Sequence, residues 1–162
     1  MQFTVKEFQN EYSTFMKDSN SEMLAYAFFK KNHKRLPKFF SDRHVSPSLY
    51  DLSKKEYLRP CIEREVSIDC IYGFSWLFKD FDSSEVQSEG RPLPERLARI
   101  FCDCPDRIVN PIPLVQIGEN RYIANDGNHR IYSAYLRSWQ SVPAWIEGTL
   151  YVENANSNFA DE

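Results

Sequence analysis

Between Asn110 and Ile146 the chain reads NPIPLVQIGENRYIANDGNHRIYSAYLRSWQSVPAWI. The aliphatic run Ile112–Ile117 predicts a strand, and after a Gly-Glu-Asn turn residues 121–124 (Arg-Tyr-Ile-Ala) predict a returning strand. Beyond the Asp126-Gly127 turn, apolar residues recur at helical spacing, so a helix is expected to begin near Asn128. A Val-Pro-Ala-Trp-Ile run then predicts a last strand. The segment from Ile108 to Ile146 is therefore expected to form a strand–turn–helix–strand unit.

The start of the predicted helix has the chemistry of an anion site. The first turn of a helix carries backbone N–H groups without intrahelical partners and about half a positive charge from the macrodipole. Gly127 lets an anion approach the backbone closely. Arg130 opposes the dipole unless an anion is bound there, in which case its guanidinium can fork onto phosphate oxygens. The turn Asp126-Gly127-Asn128-His129-Arg130 therefore predicts a phosphate-binding site.

A purely structural interpretation explains the same five residues. In that interpretation Asp-Gly is a simple turn, Asn128 is the N-cap and His129 is a satisfied surface histidine. Arg130 then pairs with Asp126 or Glu119. The five-residue pattern alone does not separate the two interpretations.

The rest of the chain predicts further helices and one more strand. Thr4 and Glu7 have the spacing of a capping box before an aromatic stripe, and a second helix is expected from about Glu22 to Lys34, burying Met23, Leu24, Ala27 and Phe28. Alternation after Glu65 predicts a strand with Val66, Ile68 and Cys70 on one face. A short amphipathic helix is expected from Glu95 to Cys102.

Composition restricts the class of protein. The 162 residues have a net charge of -3, which argues mildly against a dedicated nucleic-acid binder. No apolar run approaches the roughly 20 residues that cross a bilayer, so no membrane contact and a cytoplasmic location are expected. The four cysteines lack Cys-x-x-Cys spacing and predict free thiols; they are Cys61, Cys70, Cys102 and Cys104.

One basic cluster departs from the acidic balance. Between Lys30 and Arg43 there are six cations and a single acid, Asp42. A solvated helix end explains such a cluster, because cations suit the C-terminal dipole. A surface for DNA, phosphate or an acidic protein is the second interpretation.

The segment resembles the core of the ParB/sulfiredoxin superfamily. The matching elements are Pro113-Leu114-Val115, Tyr122-Ile123, the turn from Asp126 to Arg130, Ala134, and Val142-Pro143-Ala144. Upstream, residues 64–69 are similar to the family's first strand and residues 93–101 to its first helix. The resemblance covers roughly residues 63–147 and leaves the first 60 unexplained.

The resemblance implies a nucleotide site with the phosphates at the turn. Gly127, Asn128, His129 and Arg130 are the expected binding residues, and the expected cofactor is a nucleoside triphosphate or diphosphate with Mg²⁺. Sulfiredoxins carry a catalytic cysteine between the Gly and the His, where this chain has Asn128, so sulfiredoxin activity is not expected. The Asp-Gly-x-His-Arg form is closer to a serine-kinase branch, which needs a carboxylate base. Asp69, Asp80, Asp82 and Glu85 are the candidates for that base.

These observations lead to one leading interpretation and two rivals. The expected fold is α+β, a small mixed sheet with helices, divided into a helical extension (1–60), a ParB/sulfiredoxin-like domain (61–153) and a tail (154–162). The leading function is binding of a nucleotide or another phosphorylated molecule. If the site is catalytic, it performs phosphotransfer or phosphoester hydrolysis through His129, Arg130 and Asp126, with no metal ligand assigned. The rivals are a DNA-associated nuclease or regulator and a non-catalytic protein-binding module, such as an immunity factor.

Overall fold

The computed structural model describes residues 1–37, 44–45, 62–74, 92–124 and 127–149. Its α-helices are α1 (Val5–Met16), α2 (Glu22–Lys31), α3 (Pro94–Asp103) and α4 (Asn128–Leu136). Its strands are β1 (His44–Val45), β2 (Ile62–Ser67), β3 (Ile71–Phe74), β4 (Ile112–Gly118), β5 (Arg121–Ile123) and β6 (Ser141–Thr149). The expected α+β class and the expected helix-and-mixed-sheet composition are confirmed.

The strands form one mixed sheet in the order β1-β3-β5-β4-β6-β2. Strand β4 lies inside the sheet, antiparallel to β5 and parallel to β6, while β2 runs antiparallel along the other side of β6. The β4–β5 hairpin turns at Asn120, which adopts a φ of 55°. Helix α4 then connects β5 to β6, so the strand–turn–helix–strand unit expected between Ile108 and Ile146 is confirmed.

The N-terminal helices begin at the caps that the sequence contains. The Thr4 hydroxyl accepts from the Glu7 amide at 3.1 Å, and the Glu7 carboxylate accepts from the Thr4 amide at 2.8 Å, which confirms the capping box. Ser21 caps α2 by accepting from the Leu24 amide. Both helix starts are therefore fixed by local hydrogen bonds.

The N-terminal helices share one core with the sheet domain. Phe8 and Phe28 contact edge to face with ring centroids 5.8 Å apart, and Phe29 lies 5.0 Å from Phe101 of α3. These rings belong to the same buried cluster as Ile112 of β4. The predicted boundary at residue 60 lies outside the described residues, as does the predicted tail at 154–162, so the division into domains stays a prediction.

The expected buried face of the second helix is wrong in part. Helix α2 ends at Lys31 instead of Lys34, and Met23 and Leu24 are 80% and 41% exposed. Ala27 is also exposed, and the buried residues are Ala25, Phe28 and Phe29. Apolar residues occur on several sides of this helix, so the sequence does not define one stripe. Packing against α1 and α3 selects the side that is buried.

The strand expected from Glu65 to Cys70 is interrupted. Strand β2 ends at Ser67, and Ile68–Cys70 forms a short 3-10 turn before β3. The Ser67 hydroxyl accepts from the Asp69 amide at 3.2 Å, so a local side-chain bond ends the strand although the alternation of apolar residues continues.

The predictions about the cysteines and about membrane-spanning segments can be compared with the described residues only. Cys70, Cys102 and Cys104 are free thiols, as expected, and Cys61 lies outside the described residues. Among the helices that the structure describes, none has both the length and the apolar character needed to cross a bilayer.

Candidate functional site

The predicted phosphate turn is built on one glycine whose backbone fits no other residue well. Gly127 is the N-cap of α4 and has a φ of 78° and a ψ of 15°, in the left-handed region. A Cβ placed there would lie 2.7 Å from Ile112 Cγ2 and 3.0 Å from Arg130 Nη2. The chain therefore approaches β4 and the Arg130 guanidinium closely because this residue has no side chain.

Arg130 is held beside the start of its own helix. Its Nη1 donates to the Asn110 carbonyl at 2.9 Å and lies 3.5 Å from the Pro111 carbonyl. These contacts fix the guanidinium next to Gly127. A guanidinium carries five N–H donors, so this placement is compatible with further hydrogen bonds to an anion.

A cavity of about 300 Å³ opens between the start of α4 and the exposed side of α3. It is lined by Arg96, Arg99, Ile100, Gly127, Asn128, His129 and Arg130. Three arginines and the N-terminal turn of a helix thus border one space. Arg99 also lies 3.9 Å from Glu22, but both side chains are more than half exposed, so this ion pair is weak.

His129 is buried and joins the two helices. It is 4% exposed, and its Nε2 accepts from the backbone N–H of Leu93, the N-cap of α3, at 2.9 Å. Burial, with a smaller effect of the Arg96 charge, lowers the pKa of His129 to about 3. The imidazole is therefore neutral at physiological pH and carries its proton on Nδ1. This geometry favours a positioning role for His129, and its predicted catalytic role stays a prediction.

The burial of His129 predicts a pH-dependent stability. Because the pKa is about 3 in the folded chain and about 6.5 in the unfolded chain, the stabilisation is complete above pH 6.5 and is lost as the pH falls toward 3. The free energy of unfolding should fall by about 2 kcal/mol between pH 7 and pH 5 through this group. Urea unfolding of the parent and His129→Gln across this range measures the effect, since glutamine offers an acceptor to Leu93 but does not titrate.

His33→Gln is the matched control for that measurement. In the parent, the Nε2 of His33 donates to the Pro92 carbonyl at 2.9 Å, and the glutamine amide of the variant keeps a side-chain donor for this carbonyl. The His129→Gln profile should be flatter than the profiles of the parent and of His33→Gln. Equal slopes in all three proteins would contradict the assignment.

Asn128 has an unsatisfied polar atom. The residue is 2% exposed, lines the cavity, and its Oδ1 is the one buried side-chain polar atom without a hydrogen-bond partner in the described part of the chain. A buried acceptor without a partner costs about 1–3 kcal/mol. Asn128 is also the first residue of α4, not the cap that the purely structural interpretation assigns to it.

The carboxylates that the sequence proposed as a base are mostly outside the described residues. Asp80, Asp82 and Glu85 lie there, whereas Asp69 lies exposed in the 3-10 turn after β2. Asp126, which the sequence predicts as a catalytic residue of the turn, also lies outside the described residues. Among the described residues, no group of three or more His, Cys, Asp or Glu side chains could hold a metal ion.

The basic cluster lies near the cavity through a chain of contacts. Its described members Lys30, Lys31, Lys34 and Arg35 are all exposed, and Lys38 and Arg43 lie outside the described residues. His33, within the cluster, contacts the Pro92 carbonyl, and the next residue, Leu93, donates to His129. The segment that follows α2, the start of α3 and the start of α4 therefore meet.

Three cavity residues were not predicted from the sequence, namely Ile100 and the two cations Arg96 and Arg99. Arg96 and Arg99 lie three apart on α3, a spacing that places both on one side of a helix. That spacing could have indicated a basic face. It could not have indicated that this face lies opposite Arg130, because the two segments are distant in sequence.

Comparison with protein-family models, with curated proteins and with solved structures found no match to this chain. The ParB/sulfiredoxin resemblance therefore rests on the sequence motifs alone and stays a prediction.

Proposed function

We propose that this protein binds the phosphate group of a nucleotide or of another phosphorylated small molecule in the cavity between α3 and α4. The observation that carries the proposal is the meeting of Arg96, Arg99, Arg130 and the first turn of α4 around one space. Guanidinium forks and a helix N-terminus are both suited to phosphate oxygens. A volume of about 300 Å³ is at the lower end of the range for small-molecule pockets.

The positive charge is concentrated around the cavity and is not a property of the whole protein surface. The whole chain has a net charge of -3, so an anion is not attracted to the protein surface in general. Three cations around a partly enclosed cavity act on the ligand at short range, where solvent screens them less. This distribution supports a small anionic ligand as the occupant.

The proposal concerns binding, and catalysis is a further step within it. If the site is catalytic, the positioned guanidinium groups of Arg96, Arg99 and Arg130 stabilise a transferring phosphoryl group, and Mg²⁺ that entered with the ligand would supply further positive charge. His129 is a poor general base because its Nε2 lone pair is occupied and its pKa is about 3. A base would have to come from a carboxylate such as Asp126 or Asp69.

A thermal-shift titration tests the binding proposal. Inorganic phosphate and nucleoside di- and triphosphates, with and without Mg²⁺, are added to the parent, Arg130→Ala and Arg107→Ala. Ligand at a hundredfold excess over its Kd should stabilise the parent by about 2.7 kcal/mol. Loss of a charged donor should weaken binding about 10- to 100-fold in Arg130→Ala. The exposed Arg107, which does not line the cavity, is the matched control.

The outcomes separate the rival functions. A shift in the parent and in Arg107→Ala that is clearly smaller in Arg130→Ala supports phosphate binding at this cavity. No shift with any phosphorylated ligand contradicts the proposal. In that case the protein-binding module takes its place, and the exposed Met23 and Leu24 of α2 are its first candidate contacts.

A second candidate function is binding of DNA by the same region. The contacts of His33 with Pro92 and of Leu93 with His129 link the segment that carries the basic cluster to the cavity residue His129. A DNA strand bound at the cavity could then extend over Lys31 and Lys34. Binding should fall steeply with added salt and weaken in a Lys31→Ala/Lys34→Ala variant. Absence of DNA binding at low salt would remove this candidate.

A further inference from the structure

Asn128 is the cavity residue whose chemistry differs from that of its neighbours. Arg96, Arg99 and Arg130 can only donate hydrogen bonds. An anion without hydroxyl groups only accepts hydrogen bonds, so these three arginines already supply the donors that it needs. The Asn128 Oδ1 can only accept, and in the described part of the chain it has no donor. A phosphate that is fully ionised has no proton to give it.

The position of Asn128 places this residue at the border of the cavity. It is the first residue of α4, which has nine residues, and it follows Gly127 directly. The residue is only 2% exposed, so solvent does not supply the missing donor freely. A buried acceptor left without a donor is unfavourable, whereas a ligand that donates to it recovers that cost on binding.

We propose that the ligand is a phosphomonoester that carries a hydroxyl group close to its phosphate, and that Asn128 Oδ1 accepts from this hydroxyl. Sugar phosphates and the ribose phosphates of nucleotides belong to this class. The proposal rests on the proposed phosphate binding and makes it more specific, since the arginines bind the anion and Asn128 selects among anions. Asn128 is thus a specificity-determining residue, not a catalytic one.

A pair of ligands matched in size and charge isolates the hydroxyl. Glycerol 1-phosphate and propyl phosphate have the same three-carbon chain and the same dianionic phosphate at pH 8, because the second pKa of a phosphomonoester is about 6. They differ only in two hydroxyls. The parent should bind glycerol 1-phosphate about 5- to 20-fold more tightly by isothermal titration calorimetry.

The variant Asn128→Leu removes the acceptor while keeping a side chain of similar shape. The preference for glycerol 1-phosphate should disappear in this variant, with affinity for propyl phosphate retained. Its melting temperature should be equal to or above that of the parent, because an unsatisfied buried polar atom has been replaced by an apolar group. Asn128→Ala serves as a second variant, and far-UV circular dichroism checks that both are folded.

The outcomes distinguish this inference from the proposed function. If the parent binds both ligands equally, phosphate binding stands and the role of Asn128 is overturned. If the preference persists in both Asn128 variants, or if both variants unfold, Asn128 does not select the ligand through Oδ1 and the inference is again overturned. If the parent binds neither ligand nor inorganic phosphate, both proposals fail together.

Discussion

Gly127→Ala is expected to lower the free energy of unfolding by about 2–5 kcal/mol. The left-handed conformation, with a φ of 78°, costs an L-residue roughly 1–2 kcal/mol. The added Cβ would lie 2.7 Å from Ile112 Cγ2, inside the buried core, and relieving that contact costs about 1–3 kcal/mol more. Chemical denaturation of the parent and the variant measures the sum.

A double-mutant cycle separates the two causes. Ile112→Leu removes the Cγ2 methyl that the alanine meets, whereas Ile112→Val keeps it and is the matched control. Gly127→Ala should cost about 1–2 kcal/mol less when it is combined with Ile112→Leu than in the parent. Combined with Ile112→Val, it should cost the same as in the parent. Equal costs in all three backgrounds would show that conformation alone, and not contact with β4, requires glycine.

The junction around Gly127 is the part of the structure that the sequence predicted well. Its signals are local: a β-rich run, an Asp-Gly pair that turns the chain, and apolar residues at helical spacing. Each element in this segment can be decided within about ten residues. The start of α4 at Asn128 is confirmed, but the helix is buried on more sides than expected, since Tyr132 and Leu136 are buried together with Ile131 and Ala134.

The buried face of α2 could not be predicted from the sequence of that helix alone. Its sequence EMLAYAFFKK has apolar residues in almost every direction, so several stripes fit equally well. The choice between them depends on Phe101 of α3, more than 70 residues along the chain from Phe28 and Phe29. A pattern within one helix carries no information about that partner.

Only part of the cavity lining could be predicted from the sequence. The turn with Gly127 and Arg130 is visible in the sequence because glycine and arginine are both unusual at a helix start. Arg96 and Arg99 are ordinary exposed cations on an amphipathic helix and become cavity residues only when α3 packs beside α4. His129 fixes this packing through Leu93, a contact between segments 36 residues apart.

Arg137 is expected to contribute about as much to stability as Gly127. Its guanidinium lies between two rings, 4.2 Å from the Phe101 centroid and 3.8 Å from the Trp139 centroid. Its Nη1 donates to the Cys104 carbonyl at 2.6 Å and its Nη2 to the Ser133 hydroxyl at 2.7 Å. These contacts join the end of α3 to the end of α4. Burial lowers the pKa of Arg137 to about 10, so it stays charged at neutral pH.

Arg137→Ala should therefore lower the free energy of unfolding by about 2–4 kcal/mol. The variant loses two cation–π contacts, each of about 0.5–2 kcal/mol, and leaves the Cys104 carbonyl without this donor. The desolvation of a half-buried cation is relieved at the same time, which keeps the net cost below the sum of the contacts. Urea unfolding at neutral pH, with the exposed Arg107→Ala expected within about 0.5 kcal/mol of the parent, provides the measurement.

Arg137→Lys identifies which property of arginine is required. Lysine keeps the charge but has no planar group to lie between Phe101 and Trp139 and no fork to reach both Cys104 and Ser133. If the planar group carries the effect, the lysine variant should lose most of what the alanine variant loses. If charge alone stabilises this end of the helices, lysine should restore most of the stability. A parent-like Arg137→Ala would mean that α3 and α4 are held together by the aromatic cluster and by His129 without help from the guanidinium.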